Sequence, residues 1–340
     1  MKKLLKEKAV SVFKKFLNHE EVEWSLDKKI KESTQTINIS NSIPSPYYKY
    51  EDLFNVPSHR DDVVFITGRF RSGSSVFWNI FRVQPECTAY YEPFNERRWF
   101  DNKVRGNFVD TSHIGITDYW TEYNGLEQLS SFYEASWIDS ALHMDENSYN
   151  TKMRSFIDTL IINTGNRPVL QFNRIDFRLP WLRKNYPYAK FLHIYRNPRD
   201  QWLSFLSDKI LMNANDVAHT YKDAFYLDVW CKDLVKQFPF LSKSITPHPY
   251  MRFYYLWKLS LIYGINYCDL SFSLESFVSN PRSHLEEIKE LLDWKTFDVS
   301  KSVDVIQHIE TNKWESYADS EWFSQKERLC EIELNNFFGC

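Results

Sequence analysis

Several features of common protein classes are absent from this chain. Its 340 residues contain no run near the roughly 18 to 20 apolar residues that a membrane span requires. The five cysteines are odd in number and form no C-x-x-C pair, which argues against a zinc or redox centre and favours a reducing compartment. The formal net charge is −3, so an extended nucleic-acid footprint is disfavoured and any anion site must be local.

The first residues also lack the apolar core of a signal peptide, because Lys6, Glu7 and Lys8 interrupt it. Apolar residues recur there at helical spacing among lysines, which predicts a basic amphipathic helix within an N-terminal extension, residues 1–30. We expect this helix to dock on its own domain, with peripheral membrane contact through residues 1–17 as the alternative. Without a leader or an anchor, the sequence predicts a cytoplasmic, bacterial protein.

The rest of the chain alternates strand and helix patterns. Residues 31–61 are polar and irregular, which predicts a linker or wrapping arm, and residues 62–340 then form one domain. Predicted strands are Val63–Thr67, Thr88–Tyr91, Val169–Phe172, Lys190–Tyr195 and Tyr267–Leu274; predicted helices are Ser75–Arg82, Tyr149–Asn163, Pro198–Leu211, Tyr250–Tyr263 and Pro281–Leu292. This order predicts an α/β fold with a mostly parallel sheet and helices on both faces.

A glycine turn follows the first predicted strand. Gly68 and Gly73 stand in the G-x-x-x-x-G frame of a phosphate-binding loop, and a helix N-terminus comes next. Ser74 occupies the place of the lysine in nucleotide-hydrolysing loops, and no Asp-bearing strand for magnesium is evident, so ATP hydrolysis has little support. The candidate anion ligands of the turn are Arg69, Arg71, Ser72, Gly73, Ser74 and Ser75.

A second basic segment, "YRNPRDQWLS", follows the fourth predicted strand. Arg196 ends the strand and points into the crevice where α/β sheets bind ligands. Pro198 opens a helix after Asn197, a predicted N-cap, and Ser204 lies close enough to the helix start to reach a ligand of Arg196. The alternative is an ordinary solvated helix start. Asn280 before Pro281 predicts a second cap of the same kind.

Together the two segments resemble the sulfotransferase family that uses 3′-phosphoadenosine 5′-phosphosulfate (PAPS). That family has a [KR]-S-G-[ST]-[ST] loop for the 5′-phosphosulfate and an R-[DN]-P-R segment with a later serine for the 3′-phosphate. Here these are the residues 71–75 and 196–199 with Ser204. The wording "RSGSS" is similar to the carbohydrate-directed branch. The resemblance extends over residues 62–295 and implies a P-loop-like sulfotransferase fold with no required metal.

The resemblance also implies a base for the acceptor hydroxyl. "YEP" in the segment after the second strand is similar to a segment of carbohydrate sulfotransferases and makes Glu92 the candidate. A structural role for Glu92, paired with Arg97 or Arg98, is the alternative. The other candidate bases are His113, His143 and Glu96.

Two further groups of residues carry weaker expectations. Arg174, Asp176 and Arg178 alternate, which places them on one face if the strand continues; they orient a ligand or form an internal ion-pair network. The C-terminal cofactor loop of the family is not recognisable, and Lys313 and Trp314 are its candidate substitutes.

The function expected from the resemblance is in-line sulfuryl transfer from PAPS to a hydroxyl of a carbohydrate-like acceptor, with Glu92 and Arg71 as catalytic residues. A small-molecule or lipid hydroxyl is the alternative acceptor. A degenerate P-loop kinase or NTPase and a non-catalytic glycan-binding protein are the competing classes.

Overall fold

The computed structural model describes residues 60–111, 113, 115–307 and 309–339. The predicted N-terminal helix and the predicted linker up to residue 59 lie outside them. The strands are β1 (Val64–Thr67), β2 (Cys87–Tyr91), β3 (Arg167–Phe172), β4 (Lys190–Tyr195) and β5 (Leu270–Ser273). The helices are α1 (Ser74–Arg82), α2 (Thr151–Ile162), α3 (Leu179–Asn185), α4 (Pro198–Phe205), α5 (Val217–Thr220), α6 (Leu227–Leu234), α7 (Pro249–Tyr267), α8 (Leu274–Ser279), α9 (Pro281–Leu291), α10 (Val299–Asp304) and α11 (Ser320–Phe338). In this part of the chain, none of the helices combines the length and apolar character needed to cross a bilayer.

The five strands form one sheet in the order β2-β3-β1-β4-β5. Every neighbouring pair is parallel. In the centre, Phe65 of β1 is in register with Leu170 of β3 and Phe191 of β4. The four residues of β1 are all buried, as expected for a central strand covered on both sides. The predicted α/β fold with its parallel sheet is therefore confirmed.

Helices cover both faces of the sheet. On one face, Phe77 of α1 packs against Phe272 of β5, with ring centroids 5.9 Å apart. Phe272 is in register with Ile194 of β4, and the side chain of the preceding His193 points to the opposite face. There Gly264 of α7 lies so close to the ring of His193 that a Cβ atom would clash with it.

Two predicted boundaries and one predicted cap are corrected. Tyr267 ends α7 and does not begin a strand, because the N–H of Cys268 still bonds to a carbonyl within the helix. Helix α4 ends at Phe205 and not at residue 211, because the chain turns around Asp208, whose carboxylate accepts N–H groups two and three residues later. Asn197 caps α4 as predicted, whereas the side chain of Asn280 makes no capping hydrogen bond to α9.

His193 should make the stability of the fold sensitive to acid. It is 2% exposed, and burial lowers the pKa of its imidazole to about 3. The unfolded chain takes up a proton here near its ordinary pKa of 6.5, whereas the folded protein does not. The stabilisation is therefore complete above about pH 6.5 and is lost as the pH falls toward 3, by about 1.4 kcal/mol per pH unit.

Urea denaturation between pH 4 and 7 checks this expectation. His193→Gln cannot take up the proton. In this variant the unfolding free energy should therefore fall less steeply with decreasing pH, by about the slope that the uptake of one proton contributes. An equal slope in both proteins would assign the acid sensitivity to other groups.

Candidate functional site

The turn between β1 and α1 presents backbone N–H groups at one edge of the sheet. Arg71 and Gly73 adopt left-handed conformations, with φ of 66° and 92°. A Cβ atom at Gly73 would lie 2.6 Å from Cδ1 of Leu274, so glycine is required there. Among the described residues, no side chain caps α1, and the N–H groups of Ser74 and Ser75 come before that of Val76, which donates the first hydrogen bond of the helix to the carbonyl of Gly73. This turn can bind an anion through its backbone.

The start of α4 holds Arg196 beside Ser204. Nη1 of Arg196 donates to Oγ of Ser204 at 3.0 Å, one and a half turns into the helix. The carbonyl of Arg196 accepts from Nε1 of Trp257 at 2.9 Å, and Asn197 accepts the N–H of Arg199 at 3.0 Å. Arg196 and Ser204 are therefore adjacent side chains, close enough for one ligand to contact both.

Both segments line the same cavity. This large cavity has a volume of about 740 Å³, and Arg71 and Ser75 lie on its wall together with Arg196 and Ser204. A small cavity of about 270 Å³ adjoins it and shares Arg71, Ser75 and Arg196. Because β1 and β4 are parallel neighbours, their carboxyl ends deliver the two segments to the same edge.

The two arginines of the cavities retain capacity for an anion. Burial lowers the pKa of Arg196. The negative charges of Asp200 and Glu275 raise this pKa, and the positive charge of Arg71 lowers it. The Nε atoms of Arg71 and Arg196 are buried and have no hydrogen-bond partner among the described residues. Arg71 lies 3.8 Å from a carboxylate oxygen of Asp110, a loose and half-exposed ion pair. Two neighbouring cations with unused donors suit a ligand that carries several negative charges.

Arg69 and Ser72 are not brought to either cavity. Arg69 is 3% exposed, donates from Nη1 to Asp176 at 3.2 Å, and lies over the ring of Trp230. Ser72 is also buried, and its N–H closes the turn on the carbonyl of Arg69. We therefore assign both residues to the support of the turn, in place of the expected ligand contacts.

Glu92 lies directly after β2 and lines the small cavity. It is 6% exposed and has a positive φ of 40°. Its Oε2 accepts hydrogen bonds from Arg174 at 2.8 Å and from Asn95 at 2.7 Å, and its Oε1 accepts one from Asn173. A carboxylate has about four acceptor positions. These bonds occupy three of them, and the hydroxyl of Tyr91 also interacts with this carboxylate, whose side chain lines the small cavity.

The partner of Glu92 differs from the predicted ones. Arg97 and Arg98 lie over the rings of Phe108 and Tyr133 and do not pair with Glu92. These two arginines are held by cation–π contacts to aromatic rings. The observed partner of Glu92 is Arg174, which follows the neighbouring strand β3. The predicted pairing with Arg97 or Arg98 is wrong.

The basic cluster after β3 does not continue as a strand. A single 3-10 turn replaces it, so the predicted alternation of Arg174, Asp176 and Arg178 on one face is wrong. Arg174 pairs with Glu92, Asp176 pairs with Arg69, and Arg178 donates to main-chain carbonyls. All three are at most 3% exposed. The internal ion-pair network is confirmed for the first two.

The other candidate bases separate by location. His113 lines both cavities, and its Nδ1 lies 2.6 Å from the hydroxyl of Tyr119. Burial lowers the pKa of His113, which favours its neutral form. His143 lines neither cavity, and Glu96 lines neither and pairs with Arg174 at 2.6 Å. His113 is therefore the alternative to the carboxylate.

A segment of which the sequence analysis named only Lys313 and Trp314 also forms part of the wall of the large cavity. Its lining residues are Val305, Gln307, Ile309, Glu310 and Lys313. Asp200 holds the end of this segment: its carboxylate accepts the N–H of Asn312 at 2.8 Å and that of Trp314 at 3.2 Å. Lys313, one of the two predicted substitutes for a cofactor loop, thus reaches the cavity.

The alternative interpretation, a solvated start of α4, is not observed. Asp200 is 2% exposed, and Arg199 pairs with Glu327 of α11 at 2.7 Å. The guanidinium of Arg199 also lies over the ring of Trp314, 4.8 Å from its centroid. The two charged residues after Pro198 therefore attach the C-terminal part of the chain to the helix that carries Ser204.

Asp200→Ala should loosen this wall. Two main-chain N–H groups lose a buried carboxylate acceptor, which should lower the unfolding free energy by about 1–3 kcal/mol. Asp200→Asn keeps one acceptor oxygen and should lose less. Urea denaturation measures the stability, and amide exchange at Asn312 and Trp314 localises the change. Unchanged exchange at both amides in Asp200→Ala would contradict the assignment of Asp200 as their holder.

A family model described as "Sulfotransferase family" matches residues 63–257. Similar solved structures are sulfotransferase STF9 from Mycobacterium avium (11% identity, 86% of this chain and 80% of that chain covered, TM-score 0.44) and a sulfotransferase from Alicyclobacillus acidocaldarius (16%, 81% and 94%, TM-score 0.37). Another is retinol dehydratase in complex with androsterone and inactive cofactor PAP (13%, 85% and 85%, TM-score 0.33). No curated protein matches the sequence.

The family match covers more than half of the chain, from the start of the sheet into α7. It includes both segments that line the large cavity and the strand that precedes Glu92. The chain belongs to the sulfotransferase family.

Proposed function

We propose that this sulfotransferase takes PAPS as its donor in the large cavity and transfers the sulfuryl group to a hydroxyl of a carbohydrate-like acceptor. The observation that carries the proposal is that residues of both segments line one cavity: Arg71 and Ser75 from the first segment, and Arg196 and Ser204 from the second. These residues belong to the two segments that resemble the 5′-phosphosulfate and 3′-phosphate sites of the family. A volume of about 740 Å³ is within the usual range for a site of this kind.

The residues on the wall fit the two anionic ends of such a donor. Arg71, Ser75 and the N–H groups at the start of α1 would hold the phosphosulfate. Arg196 and Ser204 would hold the 3′-phosphate. The hydroxyl of Ser204 bonds to a carbonyl that the helix already satisfies, so its proton is available to a ligand. Lys313 adds a further cation to the wall of the cavity.

The donor would supply an activated sulfuryl group, whose bond to the bridging phosphate oxygen breaks as the bond from sulfur to the acceptor oxygen forms. Glu92 would take the proton of the acceptor hydroxyl on its carboxylate. Arg71 would stabilise the charge that grows on the leaving phosphate oxygen. Its place on the wall of both cavities supports this role.

The assignment of a carbohydrate-like acceptor rests on the amino-acid sequences of the "RSGSS" and "YEP" segments, which are similar to those of carbohydrate sulfotransferases. A small-molecule or lipid hydroxyl is the alternative. Transfer of labelled sulfate from PAPS to a panel of oligosaccharides, small alcohols and lipid alcohols distinguishes them. Binding of oligosaccharides without transfer to any member of the panel would indicate a non-catalytic glycan-binding protein. Magnesium-dependent ATP binding in calorimetry would indicate a kinase or NTPase, and we expect none.

Arg71→Ala and Ser204→Ala should each weaken the binding of 3′,5′-adenosine bisphosphate (PAP). Each change removes a hydrogen bond to a charged phosphate, which typically costs about 1.5–3 kcal/mol. Isothermal calorimetry measures the affinity, with Arg97→Ala as the control because Arg97 does not line either cavity. Unchanged affinity in both variants would remove the basis of the site assignment.

Glu92→Gln should slow transfer without loss of PAP affinity. The amide keeps the shape of the side chain but is a far weaker base, so kcat should fall by roughly two to four orders of magnitude. Glu96→Gln is the matched control, because Glu96 also pairs with Arg174 but lies outside both cavities. Full activity in Glu92→Gln would transfer the role of base to His113.

A further inference from the structure

A buried chain of hydrogen bonds joins the first turn of α1 to Glu92. Oγ of Ser74 lies 2.8 Å from Oδ1 of Asn173. The same oxygen accepts from Nε2 of Gln171 at 2.8 Å, and Nδ2 of Asn173 donates to Oε1 of Glu92. The exposed fractions are 4% for Ser74, 5% for Asn173, 0% for Gln171 and 6% for Glu92.

The chemistry of these groups fixes the direction of each hydrogen bond. The Glu92 carboxylate accepts from Arg174 and Asn95 and offers only acceptor atoms, so the amide nitrogen of Asn173 must face it. The amide oxygen of Asn173 then faces Ser74 and Gln171, and both must donate to it. The single hydroxyl proton of Ser74 is therefore directed into the protein interior.

Ser75, the next residue of the same helix, is placed differently. Its Oγ lies 3.0 Å from the hydroxyl of Tyr91, and either group can donate to the other. If Tyr91 donates, the proton of Ser75 is available to a ligand. Ser75 lines both cavities, whereas Ser74 lines only the small one, beside Glu92. Two adjacent serines of one motif thus face different tasks.

We propose that Ser74 and Asn173 are positioning residues that hold the carboxylate of Glu92, and that Ser74 is not a ligand of the donor. The inference rests on the proposed function, since it requires Glu92 to act on the acceptor hydroxyl. Asn173 sets the direction of Oε1, and Ser74 and Gln171 set the orientation of Asn173. The carboxylate of Glu92 is thereby held in one orientation, which is what proton transfer in a fixed geometry requires.

The adjacent serines supply a matched test. Ser74→Ala should leave the affinity for PAP unchanged and lower kcat by up to about 100-fold, since the carboxylate loses its fixed orientation. Ser75→Ala should weaken PAP binding about tenfold or more, as expected for a lost hydrogen bond to a charged oxygen. Calorimetry with PAP gives the affinity. Release of labelled sulfate from PAPS, to water or to the best acceptor of the panel, gives the rate.

Asn173→Asp tests the connection without a change of shape. An aspartate can still accept from Ser74 and Gln171, but it places a second negative charge against Glu92 and so opposes the ionised form of that carboxylate. The acidic limb of the kcat profile should move to higher pH by about one unit or more, because the base must be ionised to act. A purely structural role would lower the rate without moving this limb.

The results separate the inference from the function on which it rests. If the wild-type protein neither binds PAP nor releases sulfate from PAPS, the proposed function fails and the inference fails with it. If the wild type does both, but Ser74→Ala loses PAP affinity as Ser75→Ala does, Ser74 is a donor ligand and the inference alone is overturned. An unmoved acidic limb in Asn173→Asp would also overturn it.

Discussion

The parallel pairing of β1 between β3 and β4 is the constraint on which the site depends. Thr67, the last residue of β1, is in register with Phe172 of β3 and His193 of β4. The three strands therefore end within a few residues of one another and at the same edge of the sheet. The glycine turn before α1, the Asn173 amide and Arg196 lie close together for this reason, although about 100 residues or more separate the turn from the other two.

The protein uses its buried arginines in two ways. Arg69, Arg174 and Arg178 are at most 3% exposed, and each has carboxylate or carbonyl partners in the interior. Burial of a charge without such partners would be strongly unfavourable. Arg71 and Arg196 instead keep buried Nε donors without a partner among the described residues, beside the large cavity. The first set is paired inside the protein, and the second set keeps unused donors at the cavity wall.

Local patterns predicted the elements well and their junctions less well. The glycine turn before α1 and the Asn-Pro start of α4 follow from backbone rules that act within a few residues, and both are observed. Helix α4 is shorter than predicted, because the carboxylate of Asp208 accepts main-chain N–H groups and so stabilises a turn after the helix. The predicted continuation of β3 through Arg174 is wrong. Charged residues alternate in the sequence there, but this pattern does not show that the chain leaves the strand and forms a 3-10 turn.

The amino-acid sequence by itself determined the order of strands and helices, the parallel sheet, and the two basic segments at strand ends, because periodicity, capping and glycine turns are local in their physics. Only the tertiary structure decided which of these residues face the cavities: Arg69 points inward and Arg71 outward, although they are two residues apart in the same turn. It also decided that Arg174 is the partner of Glu92 and that Asp200 holds the segment before Trp314. Such pairings depend on the meeting of segments far apart in the chain, which no short-range pattern encodes.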